Sequence, residues 1–241
     1  MNAHVLDPGK IVQTVARLRD RIAERFPGSG LAAVAAELTD TALETASRVS
    51  LLSRPNVALR ALAAAVIVAG LAAQVYVARL VDWSAVIRRS DVVGITQGLD
   101  SIVNLLLLAF AAIWFVLTLE QRLKRRRILH RLFELRSFAH VVDMHQLTKD
   151  PTIVLAGGPA TPSSPQRRMS EFELSRYLDY CAEMLALIAK LAALYAGRNP
   201  DGAVLAAVNE VEALTSDLGR KIWQKIMIIS RLDETRLPPA A

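Results

Sequence analysis

Three of the four histidines, His130, His140 and His145, fall within sixteen residues of one another and close to Asp143. Imidazole beside carboxylate can ligate a metal or move a proton. Helical geometry tests whether these groups form a site. At about 100° per residue, His140 and Asp143 are neighbours, and Arg136 lies one turn before His140. His145 points about 140° away from His140. One helix therefore cannot supply a His140, Asp143 and His145 metal triad. The plainer reading is an Arg136–His140–Asp143 ion-pair ladder at the edge of a buried face.

A second polar ladder, Arg176, Tyr180 and Glu183, is spaced four and three. If the two ladders lie side by side, their arginines could hold a phosphate or nucleotide. The alternative is that each ladder is solvated or satisfies the other. Arg136, His140, Asp143, Arg176, Tyr180 and Glu183 are the candidate ligand-binding residues. Cys181, the only cysteine, sits on an apolar seam and reads as a small core residue. Gly157-Gly158-Pro159 lacks the rest of a phosphate-loop pattern, and no Gly-x-Ser-x-Gly or Cys-x-x-Cys occurs. No catalytic residue, metal site or cofactor is implied. Thr161, Ser163 and Ser164 beside prolines are possible phosphate acceptors in a loop.

The elements that carry these residues are organised around one stretch, Ile102 to Leu147. Its first part, to Leu119, is apolar but for Asn104 and Thr118. It then turns basic, with Arg122, Lys124, Arg125, Arg126, Arg127, Arg131 and Arg136. No proline interrupts it, and Gly98 lies upstream as the break. It reads as one helix, half in lipid and half cytoplasmic. Lys124, Arg125, Arg126 and Arg127 would meet anionic lipid head groups, at about 1 kcal/mol per side chain. No aromatics are interleaved with the run, which argues against nucleic acid.

A second apolar stretch, Ala61 to Ala78, has one strongly polar member, Gln74. Its eighteen residues cover about 27 Å, enough for a bilayer core of about 30 Å with Leu59 and Leu80 added. Lysine and arginine are dense after the second span and before the first, at Arg48, Arg54 and Arg60. They are sparse in the connection that carries Trp83, Arg88 and Arg89. The positive-inside rule puts both termini in the cytoplasm of a multi-pass cell-membrane protein. The polar N-terminus shows no signal peptide. A single cysteine gives no internal disulfide. The mean hydropathy of +0.31, high for a soluble chain, and a net charge of +6 agree with a membrane surface as partner.

Around these spans the periodicity is helical. Asp7-Pro8 starts a helix with Ile11, Val15, Leu18, Ile22 and Phe26 on one side. Pro27 to Gly30 ends it and offers Ser29 as the next cap. Leu31, Val34, Ala35, Leu38, Ala42 and Thr45 then face one way to about Leu52. Beyond the membrane, Ile128, Leu132, Leu135, Ala139 and Val142 form the stalk's stripe, stopped at Lys149-Asp150-Pro151. Ser170 with Glu173 is a capping box. It opens a helix with Leu174, Leu178, Cys181, Leu185, Ile188, Ala192 and Tyr195 at heptad spacing. Leu187, Leu191 and Leu194 widen that seam, so several neighbours should cover it. Val204, Val208, Val211, Leu218, Ile222 and Ile229 face inward on the last helix.

The fold class is all-α: a two-span transmembrane helical hairpin with a cytosolic helical bundle. The N-terminal cytosolic helices occupy 1–54, the hairpin 55–119 with spans about 59–80 and 102–119, and the stalk 120–148. A mobile loop occupies 149–169 and the C-terminal helical pair 170–234. The favoured role is a non-enzymatic scaffold, sensor or regulatory module acting through helix–helix contacts. Its partners are a bilayer with anionic head groups and either a second copy or another protein. The alternatives are a homo-oligomeric channel-like or effector protein, and a membrane-anchored enzyme or ligand-binding module using the His140 and Asp143 region.

Overall fold

The computed structural model describes residues 6–52, 57–80, 92–151, 162, 169–197 and 201–236. Within 50–80 and 92–120 it describes the side chains of only some residues, and within 232–236 of none. Pro55, the connection with Trp83, Arg88 and Arg89, nearly all of the expected mobile loop and the tail after Arg236 lie outside the described residues. Every described element is an α-helix. In order they are α1 Pro8–Arg25, α2 Gly30–Leu52, α3 Val57–Leu80, α4 Val92–Leu147, α5 Glu171–Ala196 and α6 Gly202–Arg236.

Local chemistry sets the helix ends. The Asp7 carboxylate accepts from the Gly9 and Lys10 amides, with Pro8 in the first turn. Gly28, at φ +69°, makes the turn into α2, where Ser29 Oγ accepts from the Ala32 amide. Both halves of the Ser170–Glu173 capping box form at α5. Asp201 Oδ1 accepts from the Ala203 and Val204 amides at α6. Helix α4 begins ten residues before the expected Ile102 and runs through Gly98. One interior glycine costs about 1 kcal/mol, which the rest of a 56-residue helix readily offsets.

The chain divides into two compact units, one of Arg54–Arg126 and the other of Met1–Ser53 with Arg127–Ala241. The larger unit is a bundle of α1, α2, α5, α6 and the stalk, residues 127–147 of α4. Helix α5 is its axis. Leu174, Leu178, Cys181, Leu185 and Ile188 are all buried, and so are Tyr177, Tyr180, Met184, Leu187, Leu191 and Leu194 on its other sides. It packs along α6 and also touches α1 and α2, while α1 packs on α2. The stripes of α1, α2, the stalk and α6 close over it, from Ile11, Val49, Ile128 and Val204 at one end to Ile22, Leu31, Val142 and Ile229 at the other. Each fully buried Leu or Ile contributes about 1.5–3 kcal/mol of transfer free energy.

In the smaller unit, most of the described apolar side chains stand in the open. They include Val66, Val68, Val75 and Tyr76 on α3, and Leu106, Leu107, Leu108, Phe110 and Trp114 on α4. Among the described residues, no helix is long and apolar enough to cross a membrane. Both stretches read as spans, about 59–80 and 102–119, contain side chains outside the described set.

A pair of substitutions on neighbouring α5 residues tests this packing. Leu185 is almost completely buried, so Leu185→Ala should cost about 2–5 kcal/mol. Glu183 sits in a half-exposed ion pair with Arg21, so Glu183→Ala should cost about 0–1 kcal/mol. Denaturant unfolding of the full chain measures both. Equal costs would mean that α5 is not the buried axis.

Candidate functional site

The first ladder does not close on itself. The Arg136 guanidinium crosses to Glu210 on α6, Nη1 to Oε2 3.3 Å. Asp143 Oδ1 accepts from Gln146 Nε2 at 2.6 Å. His140 is exposed and has no hydrogen-bond or ion-pair partner among the described residues. His130 is exposed as well, on a different turn. His145 turns to the opposite flank of the stalk, where its ring abuts Gly30 at the start of α2. Among the described residues, no three His, Cys, Asp or Glu side chains come close enough to hold a metal ion.

The second ladder faces α1. Glu183 pairs with Arg21, whose guanidinium also lies 5.6 Å from the centre of the Tyr180 ring. Phe26 meets the same ring edge-on at 6.2 Å. Arg176 reaches Asp179 at 3.4 Å and lies 5.6 Å from the Phe172 ring centre. Burial raises the Asp179 carboxyl above its ordinary value, and Arg176 partly offsets it. Arg21, Glu24, Arg25, Ser170, Phe172, Glu173 and Tyr180 line an open groove of about 570 Å³. Its two arginines are balanced by Glu24 and Glu173, and the Glu173 carboxyl is held low by the Ser170 amide it accepts. Arg136 and His140 thus bond toward α6 or solvent, while Arg176, Tyr180 and Glu183 bond along α5 or toward α1. No described interaction joins the two sets.

A polar cluster that the ladders did not include sits at the end of the stalk. Gln146 is buried, and its side-chain and backbone oxygens both accept from Lys225 Nζ of α6, at 2.5 and 3.0 Å. Lys225 thereby places a cation on the last carbonyls of α4, where the helix dipole favours one. Burial lowers the Lys225 pKa, with Asp150 and Asp143 opposing. Tyr177 Oη donates to the His145 carbonyl at 3.5 Å in the same region. The sequence signal was available: Ala139, Val142 and Gln146 continue the stalk's inward register, so a polar residue in a core position demanded a partner.

Cys181 is completely enclosed, and burial pushes its thiol up to about 12. The basic run of α4 presents Arg125, Arg126 and Arg127 to solvent, with Lys124 half-buried. Arg122 lies 5.9 Å from the Phe115 ring centre, about two turns upstream. No protein-family model, curated protein or solved structure matches the chain.

The thiol carries the prediction here. In the native chain at pH 8, Cys181 should resist a charged disulfide reagent for hours. In denaturant it should react at once, one thiol per chain. Fast labelling under native conditions would show that the α5 core opens readily.

Proposed function

We propose that this chain is a multi-pass integral membrane protein whose helical bundle faces the cytoplasm, acting as a non-enzymatic scaffold, sensor or regulatory module through helix–helix contacts. The observation that carries the reading is the exposure of nearly every described apolar side chain of the 54–126 unit. Leu107, Leu108, Phe110 and Trp114 are each about 60 % exposed or more. Apolar surface of that extent requires a cover of lipid or protein. Across the complete sequence, Ala61 to Ala78 and Ile102 to Leu119 carry no charged residue. Arg122 and Lys124 to Arg127 follow the second stretch directly, which is where a cytoplasmic anchor belongs.

On this reading the hairpin spans about 59–80 and 102–119, and both termini lie in the cytoplasm. The basic run binds anionic head groups electrostatically. Helical packing in the bundle and the solvated ladders favour contact with another helix over chemistry at a cleft. The proposed partners are therefore the bilayer and a protein helix.

Membrane fractions washed with alkaline carbonate should retain the chain. In a Cys181→Ala background, an impermeant maleimide should label a Ser90→Cys variant from outside intact cells and leave a Ser216→Cys variant unlabelled. Release by carbonate would overturn the spans, and the reverse labelling pattern would overturn the orientation.

A further inference from the structure

The stalk has two faces. Its inward face buries Ile128, Leu132, Leu135, Ala139, Val142 and Gln146 against the bundle. On the side away from the core run His130, Phe133, Ser137, His140, Met144 and Leu147, in steps of three, four, three, four and three. All six are exposed. The three large apolar members are the most open kind of surface, Phe133 at 64 %, Met144 at 67 % and Leu147 at 63 %. At about 100° per residue the six fall within an arc of about 100°, roughly opposite the buried stripe. The geometry points to this stripe as the contact through which two copies of the chain pair, stalk against stalk and in parallel. It deepens the proposed helix–helix role, and its parallel sense rests on the hairpin reading, which gives both copies the same membrane exit.

The spacing identifies the occupant as a helix. An average step of three and a half residues keeps a stripe facing one neighbouring helix along its length. A stripe meant for a lipid surface is broad and bordered by lysine and arginine. This one is narrow and bordered by both signs, Arg136 and Asp143 on one flank, Glu134 and Arg127 on the other. Such borders suit the stripe's own copy. A two-fold axis along the stalk sets the Arg136 flank of each chain against the Glu134 flank of its mate, twice over. Both residues already carry bridges within the chain, Arg136 to Glu210 and Glu134 to Arg131. The second copy adds to these networks at the rim. Along the axis, Phe133, Met144 and Leu147 each meet their counterpart. His130, Ser137 and His140 do the same, and polar residues within an apolar seam fix register at some cost in stability. One step further up, Arg126 would oppose Arg126 of the mate. The contact therefore runs from His130 to Leu147, about 27 Å.

Ser137 lies at the middle of the stripe and provides the test. In membranes holding full-length chain with Cys181→Ala, a Ser137→Cys variant should form an interchain disulfide under mild oxidation. That bond requires Cα atoms about 4.4–6.8 Å apart, which the paired stalks bring about. A Thr14→Cys variant on the exposed surface of α1 should stay monomeric. Adding Phe133→Glu and Met144→Glu to the Ser137→Cys chain should lower the dimer fraction about tenfold, with helical content by circular dichroism unchanged. Equal cross-linking at Thr14, cross-links from position 137 only to other proteins, or a dimer fraction untouched by the glutamates would each overturn the pairing. The carbonate wash separates the two readings. A chain released by carbonate that still cross-links at position 137 keeps the stalk contact and loses the hairpin. A chain retained by carbonate with no cross-link does the opposite.

Discussion

Everything in the larger unit depends on the burial of one helix. An amphipathic helix hides one face and wets the other. Helix α5 hides more than half of its circumference, from Leu174 to Tyr195, and leaves open only the strip that carries Arg176, Ala186 and Lys190. A helix so apolar is viable in water only when other helices enclose it. Helices α1, α2 and α6 pack on it, and the stalk's Ile128 to Val142 stripe joins the same core. Its polar residues mark the seams between those neighbours: Glu183 leans to Arg21 of α1, and Tyr195 Oη donates to Thr45 Oγ1 of α2 at 3.4 Å. The side-chain ladder that suggested a ligand site is better understood as the trim along one of these seams.

The sequence made the faces legible and left the neighbours hidden. Every residue named inward from its spacing on α1, α2, the stalk, α5 and α6 is buried, apart from the half-buried Phe26. That follows because periodicity is a local property, written into each helix separately. Capping chemistry is equally local, and Asp7 and Ser170 cap as their types suggest. Which helix meets which depends on contacts between residues far apart, and no spacing rule reports it. Arg21 and Glu183 are separated by 162 positions, and Arg136 and Glu210 by 74. Spacing alone therefore left open whether Arg136 and His140 lie beside Arg176 and Glu183, and among the described residues no interaction joins them. The Gln146–Lys225 contact was missed for the complementary reason. Its informative residue is a neutral amide in a core register, and its partner Lys225 lies 79 positions further along the chain.

The two units differ in what they do with leucine. In the bundle, Leu178, Leu185 and Leu191 vanish into the core. In the 54–126 unit, Leu106, Leu107 and Leu108 remain open to their surroundings. The same side chain carries the same transfer free energy in both places. The difference lies in the cover: the chain itself supplies it in one case and leaves those leucines open in the other. The stalk combines both habits on one helix, with Leu132 and Leu135 turned in and Phe133 and Met144 turned out.

The bundle is also discontinuous along the chain, with residues 54–126 inserted between its parts. Helices α1 and α2 are made before the inserted unit, and their Ile11, Leu18, Leu31 and Leu38 are destined for a core whose other helices come later. The two helices can form a hairpin across the Gly28 turn early, since that closure is short. Their other apolar partners, on the stalk, α5 and α6, emerge only after the insertion has been made. For that interval the nascent chain carries two unsatisfied apolar surfaces of different fate, one awaiting α5 and one awaiting whatever covers the inserted unit. Order of assembly is thus built into the layout. Closing residues 1–53 onto residues 127–241 is a long-range event, and such contacts pay their loop-closure entropy before they are rewarded.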